Sequence, residues 1–309
     1  MDAAKERWLA EMTRRVVRKV LAEHASTGDP GRVPGAAWLK VPQSPEPGKA
    51  VTAEAACLLA DNGRLLRGYI DLGVARLGFC PEACRTPPDL AGFVDHTLLK
   101  PEATEAQIVR LCQEAAEHYF AAVCVNPMWV TRCVALLGST NVAVCTVVGF
   151  PLGANETEIK AMETRRAVQQ GATEIDMVIK VGALKSGDLR AVYEDIVAVR
   201  RESFGLACLK VIIEAALLTD AEKVAACTLC RDAGADYVKT STGFARGGAT
   251  VADVRLMRRV VGQQVGVKAA GGIKDRAAAE AMIAAGANRI GASAGVKIVG
   301  DPVSVDAVS

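Results

Sequence analysis

Asp236-Tyr237-Val238-Lys239-Thr240-Ser241-Thr242-Gly243-Phe244, followed by Val267-Lys268-Ala269-Ala270-Gly271-Gly272, decides how the chain is read. Each stretch is a short apolar run that delivers a lysine and then enters small residues that expose backbone. An ammonium on an apolar strand is costly, because burial favours the neutral amine. Two such lysines on consecutive strands allow one amine to be tuned by the other. A neutral amine is what Schiff-base chemistry requires.

Working outward from these stretches, apolar β-branched runs alternate with longer periodic segments from residue 90 onward, the pattern of parallel strands with crossover helices. Strands are predicted at Gly92–Asp95, Ala121–Val125, Val142–Val148, Glu174–Ile179, Leu209–Glu214, Tyr237–Thr240, Val265–Ala269 and Arg289–Gly291. Helices are predicted at 104–118, 127–137, 156–171, 187–203, 220–234, 249–262 and 274–286, with a short last one after Gly295. Eight such units predict an α/β fold, a (β/α)8 TIM barrel with an N-terminal helical extension. The rival open doubly wound sheet lacks a GxGxxG after its first strand.

Barrel sites lie at the C-terminal ends of the strands. Lys239 on strand six, Lys268 on strand seven, Asp176 on strand four and Asp95 at the end of strand one are therefore expected at one mouth. In a Schiff-base reading Lys239 is the nucleophile and Lys268 the second cation that lowers its pKa. Asp176 would move protons between carbinolamine, enamine and substrate hydroxyl. The plain alternatives are lysines that snorkel to solvent and an Asp176 that is merely a hydrogen-bonded buried carboxylate. Asp95-His96-Thr97 reads as a cap on the first βα loop, with Asp95 kept as a positioning residue.

A phosphate is expected where small-residue turns open helices: Gly271-Gly272 after strand seven and Gly291-Ala292-Ser293 after strand eight. Thr240, Ser241 and Gly243 add contacts from loop six. The three histidines, His24, His96 and His118, do not cluster, so neither a metal nor a cofactor is expected.

Of the 309 residues, 50% are hydrophobic, which allows a large core and excludes global disorder. A net charge of +2 with 4% aromatics argues against a nucleic-acid surface or a polybasic membrane patch. Ten cysteines sit mostly in apolar runs, and Cys227 and Cys230 fall within a helical pattern, so free thiols in a reducing compartment are expected. With no membrane-length apolar run and no compact secretory h-region, a cytoplasmic location is expected.

The N-terminal organisation reads as an amphipathic helix over 1–27, a Pro/Gly-rich linker over 28–49, and a barrel domain over 50–309 that begins with a helix. In residues 3–24, Trp8, Leu9, Met12, Val16, Val17, Val20 and Leu21 form one stripe.

Several motifs together resemble the deoxyribose-phosphate aldolase family. They are Asp95-His-Thr-Leu-Leu-Lys100-Pro-Glu-Ala-Thr104, Val123-Cys-Val-Asn-Pro127, Val148-Gly-Phe-Pro-Leu-Gly153, Glu174-Ile-Asp-Met-Val-Ile179, Lys210-Val-Ile-Ile-Glu214, Val238-Lys-Thr-Ser-Thr-Gly243 and Val267-Lys-Ala-Ala-Gly-Gly272. The resemblance runs from about residue 90 to residue 300, in the family's order and spacing. It implies a class I aldolase that cleaves 2-deoxy-D-ribose 5-phosphate reversibly to acetaldehyde and D-glyceraldehyde 3-phosphate. It implies Lys239 as the Schiff-base lysine, Lys268 as its perturber, Asp176 as the proton donor and acceptor, and Lys210 at the end of strand five lining the site. Cys124, ending strand two, is either near the mouth, where an aldehyde could trap it, or a buried small hydrophobe.

Two positions depart from the family pattern. Phe244 stands where some members carry a lysine, and Ala294 where a second serine is common. A homo-oligomer, dimer or tetramer, is expected. The N-terminal helix and linker resemble the encapsulation peptides that dock enzymes to bacterial microcompartment shell proteins. Packing on its own barrel or on a dimer mate is the competing role for that helix. The rival functions are another Schiff-base lyase on a phosphorylated sugar and a non-catalytic sugar-phosphate-binding barrel.

Overall fold

The computed structural model describes residues 90–300. Eight parallel strands close into one ring in sequence order, β1 pairing with both β2 and β8. They are β1 Val94–Leu98, β2 Ala122–Val125, β3 Ala143–Val148, β4 Glu174–Val178, β5 Cys208–Ile212, β6 Tyr237–Lys239, β7 Gly266–Ala270 and β8 Arg289–Ala292. Between and after them run α1 Glu105–Glu117, α2 Val130–Leu137, α3 Thr157–Gln169, α4 Val181–Lys185, α5 Leu189–Ser203, α6 Asp220–Asp232, α7 Val251–Val261, α8 Arg276–Ala284 and α9 Gly295–Val299. The expected (β/α)8 barrel is the observed one. The expected N-terminal amphipathic helix, the Pro/Gly-rich linker, the helix that opens the barrel domain and His24 lie outside the described residues.

Local chemistry explains where the helices start. Thr104 with Gln107 and Thr219 with Glu222 form capping boxes at α1 and α6. Asp188, Thr250 and Asp275 each accept a backbone N–H at the start of α5, α7 and α8. The helix predicted over 187–203 is preceded by the short α4, and the segment predicted over 127–137 opens with a 3-10 turn at Pro127–Trp129.

Strand one starts later than predicted. Gly92 and Phe93 belong to a 3-10 turn, so Asp95 is the second residue of β1 rather than its last. Asp95 therefore points into the barrel, while His96 faces the helix layer and its Nε2 meets Glu114 Oε2 at 2.7 Å. Neither residue caps the first βα loop.

The barrel interior is divided. Around β2 and β3 it is apolar, with Leu99, Ala122, Cys124, Cys145 and Val147 forming one buried cluster on which Phe150 packs, whereas β1 contributes the carboxylate of Asp95. Around β4 to β8 it is charged: Glu174, Asp176, Lys210, Lys239, Lys268 and Arg289 all project inward. Two strand glycines make room for this half. A Cβ on Gly266 would lie 2.2 Å from the Tyr237 ring, and one on Gly291 would lie 3.1 Å from Lys268 Cε. Gly291 was expected in a helix-opening turn; it sits inside β8 because the Lys268 stem passes over it.

Outside the ring, a fully buried ion pair ties α3 to α5. Lys160 of α3 is fully buried, and its Nζ donates to Asp195 of α5 at 2.6 Å and to the Val178 carbonyl at 2.9 Å. Asp195 also accepts from Thr157 Oγ1 at 3.0 Å. Burial draws Lys160 below and Asp195 above their usual pKa values, each opposed by its partner. Removing one member strands the other, at a cost of about 3–5 kcal/mol, whereas an apolar pair of similar volume is close to neutral. Lys160→Met should therefore lower the unfolding free energy by about that amount. Lys160→Met combined with Asp195→Leu should recover most of it in urea melts with an unchanged m-value.

Candidate active site

Asp176, in the middle of β4, accepts from three ammonium groups. Lys210 Nζ lies 2.7 Å from its Oδ1, while Lys239 Nζ and Lys268 Nζ lie 2.7 and 2.8 Å from its Oδ2. Lys268 bonds onward to Asp95 Oδ2. Asp95 Oδ1 accepts from Arg289 at 2.6 Å, and Arg289 reaches Glu174 at 3.1 and 3.3 Å. Glu174 lies 2.8 Å from Lys210, which closes the circuit back to Asp176. The result is a closed ring of alternating charge, Asp176–Lys268–Asp95–Arg289–Glu174–Lys210, with no formal excess. Lys239 hangs from Asp176 alone.

Position separates the lysines further. Lys239 is the last residue of β6, whereas Lys210 and Lys268 are the central residues of β5 and β7 and are fully buried. Lys210 was expected at the end of strand five and instead lies one layer below the mouth. Its neighbours in register are Asp176 and Tyr237.

Electrostatics fix the protonation of the ring. Burial works against every charge in it, but alternation overcomes that cost. Burial opposes the Asp176 carboxylate, yet Lys210, Lys239 and Lys268 hold its pKa well below the usual value of 3.8. Asp95 is lowered in the same way, against burial, by Arg289, Lys268 and Lys210. Burial opposes the Lys268 ammonium, but Asp176 and Asp95 raise its pKa above that of an ordinary lysine. Lys210 is raised against burial by Asp176, Cys145, Glu174 and Asp95. Both lysines are held in the charged form by these carboxylates. Resting Asp176 is an acceptor that can return only a proton it has first taken.

Sulfur lies on the apolar side of Asp176. Cys145 Sγ is 3.2 Å from Asp176 Oδ1 and 3.2 Å from Lys210 Nζ. Cys124 is fully buried, the third of four residues in β2 rather than its end. The ligand atoms of Cys124, Cys145 and Asp176 lie within 4.8 Å of one another, close enough to hold a cation. Burial and the neighbouring Cys124 raise the Cys145 thiol well above its ordinary pKa, and three ammonium groups already occupy Asp176. Metal binding needs thiolate and an available carboxylate. The hydrogen bond from Cys145 lowers the Cys124 thiol, but the Cys145 thiol is raised and the Asp176 carboxylate is already taken, so the trio lacks a free carboxylate and a second thiolate.

Above the ring, loop six is held by Glu214, a residue in the left-handed region at φ 50° and 3% exposed. Its Oε2 accepts from the Thr242 N–H at 3.1 Å and the Thr242 hydroxyl at 2.5 Å. Thr240 is engaged with Ala270, donating to its carbonyl and accepting from its N–H at 3.0 Å each. Ser241 Oγ is buried without a hydrogen-bond partner. Gly243, Gly271 and Gly272 all have positive φ at the mouth, and Gly248 abuts Gly271, where any Cβ would lie 2.3 Å from the Gly271 carbonyl oxygen. Ser293 is exposed in the turn before α9.

The sequence reading missed Glu174, Arg289, Cys145 and Glu214. Glu174 had a signal, since it stands two residues from Asp176 on one strand and so shares its face. Arg289 had a weaker one, as a cation opening an apolar strand.

A match to the DeoC/LacD family aldolases covers residues 90–300, the whole barrel. The chain belongs to that family. The deoxyribose-phosphate aldolase of Brevibacillus brevis is 62% identical over 207 residues, spanning 67% of this chain and 93% of the relative. That of a Geobacillus species is 61% identical over 211 residues, 68% of this chain and 95% of the relative. The tetrameric deoxyribose phosphate aldolase structure from Aeropyrum pernix superposes with a TM-score of 0.65 at 34% identity, covering 75% of this chain and 96% of that one. In this family barrel the charged ring occupies the interior just below the mouth.

The ring makes stability depend on acid. The folded pKa values of Asp95 and Asp176 lie below the unfolded value near 3.8. Their contribution is thus complete above that value and is lost as pH falls through the folded ones. Unfolding free energy should fall between about pH 5 and pH 2. Asp95→Asn should be less stable at neutral pH and show a shallower acid loss in urea melts across that range.

Proposed function

We propose that this chain is a class I aldolase that cleaves 2-deoxy-D-ribose 5-phosphate reversibly to acetaldehyde and D-glyceraldehyde 3-phosphate, with Lys239 as the Schiff-base lysine. The observation that carries the assignment is the closed neutral ring with one lysine left over at the mouth. Lys239 is only 3% exposed and is bound by Asp176 alone, so its nitrogen can form a covalent bond without breaking the ring.

In the cleavage direction the Lys239 amine adds to the open-chain sugar aldehyde, and loss of water gives the iminium. Removal of the proton from the C3 hydroxyl drives rupture of the C2–C3 bond, and its electron pair flows into the iminium. That step releases glyceraldehyde 3-phosphate and leaves an enamine, which takes a proton at carbon and hydrolyses to acetaldehyde and free Lys239. Asp176, 2.7 Å from Lys239, accepts and returns these protons, directly or through water. Lys268, held charged between Asp95 and Asp176, sets a second cation beside the reacting nitrogen. Loops six, seven and eight, with Ser241, Gly243, Gly271, Gly272 and Ser293, receive the phosphate end.

Assembly into a homo-oligomer is part of this reading, supported by the tetrameric Aeropyrum pernix relative. Residues 3–24 are proposed as a docking peptide for a microcompartment shell, on the apolar stripe in the sequence. Removal of residues 1–48 should then leave turnover intact and abolish cargo loading; unchanged loading would reject the docking role.

Borohydride reduction in the presence of acetaldehyde should fix an adduct on Lys239 by peptide mapping. Lys239→Ala should lose the adduct and at least about a thousandfold in turnover. An adduct formed only with longer ketoses would favour a different lyase, and none at all a binding barrel. Lys268→Leu should cost about tenfold or more in kcat at neutral pH, because it opens the ring between Asp95 and Asp176 beside the reacting nitrogen. An unaltered kcat would remove Lys268 from that role.

A further inference from the structure

Two phenylalanines meet above the site. Phe150, from the loop after β3, and Phe244, from the loop after β6, stand edge to face with centroids 5.3 Å apart. In a closed ring these loops are separated by β4 and β5, so a contact between them crosses the opening. Phe150 also packs on the interior cluster of Cys124, Cys145 and Val147, which places its ring inside the mouth. Beneath lie Asp176 and Lys210, and Lys239 ends the adjoining strand at 3% exposure.

Both rings are held in place. Each follows a glycine of positive φ, Gly149 at 60° and Gly243 at 86°. The Gly149 N–H donates to Glu163 at 2.8 Å, and a Cβ there would lie 2.7 Å from Lys160 Cε. The Phe244 N–H donates to Thr242 Oγ1 at 3.1 Å, and that hydroxyl is itself fixed by Glu214. The pair is therefore an anchored part of the site, although Phe244 remains 52% exposed.

We propose that Phe150 and Phe244 close the mouth over Lys239 and, with the apolar wall of β2 and β3, set the size of the aldehyde that can be carried as enamine and keep water from it. This rests on the aldolase reading given above. Acetaldehyde places only a methyl carbon against that wall, and a longer donor must displace a ring. Water at the same place would protonate the enamine carbon before an acceptor aldehyde arrives, giving an iminium that hydrolyses back to acetaldehyde.

The test uses the full chain and the variants Phe244→Ala, Phe150→Ala and the double variant, with Phe244→Leu as a conservative control. Borohydride trapping with acetaldehyde is measured first on each protein. An adduct on Lys239 in the parent and in the variants shows that the aldolase reading and the fold survive; its absence in the parent sinks that reading instead. The ratio of kcat/KM for propanal to that for acetaldehyde as donor is then compared. It should rise at least fivefold in either alanine variant and little further in the double variant, because the two rings make one closure. In deuterium oxide with glyceraldehyde 3-phosphate as acceptor, label in the acetaldehyde methyl group should rise relative to carbon–carbon bond formation. Phe244→Leu should stay near the parent. Trapping-competent alanine variants with an unchanged donor ratio would overturn the proposal.

Discussion

Everything at the mouth of this barrel depends on the carboxylate of Asp176 being shared by three ammonium groups. A lone carboxylate buried at that depth would take a proton, and a lone lysine would lose one. The interior avoids both by alternating sign around a circuit, so that each charge of the ring has two opposite neighbours. The alternation also fixes geometry, because every member is held from two sides. Replacing any one of them exposes the charges on either side to an apolar medium. Such rings are weak sources of net stability and strong sources of order.

The division of the interior follows from the same constraint. Charges confined to β4 through β8 and to Asp95 of β1 leave β2 and β3 free to be apolar, and the boundary falls at Asp176, with Cys145 and Val147 on the other side. A carbonyl compound at Lys239 thus meets acid–base groups on one flank and hydrocarbon and sulfur on the other. The long lysine stems need room to reach across. Gly266 and Gly291 supply it, each by lacking the one carbon that would strike Tyr237 or Lys268.

Most of the fold was legible because β-branched runs and helical periods alternate without ambiguity after residue 90. The two key lysines and Asp176 were legible because charge in an apolar strand is conspicuous. What escaped was pairing, which is set by the curvature of the ring rather than by spacing. Asp95 and Arg289 touch across 194 positions, and Glu174 joins them only because β8 closes on β1. Gly291 is expected both as the last residue of strand eight and as part of the turn after it; in β8 it answers to a neighbour's side chain. Asp95 was misplaced because Phe93 looks like strand, yet the chain makes a 3-10 turn there before entering β1.

Three lysines touch Asp176, so contact with it cannot choose the reactive one. Lys210 is bound by Asp176 and Glu174 with Cys145 at its side, and Lys268 is bound between Asp95 and Asp176. Deprotonating either would break the alternation and leave two carboxylates facing each other through a neutral nitrogen. Both also sit one layer below the opening, where a sugar could reach them only by displacing ring members. Lys239 meets neither obstacle. Its nitrogen lies outside the circuit and can react without breaking it, and its place at the end of β6 sets it toward the opening. The proposed nucleophile is thus selected by what it lacks, a second carboxylate.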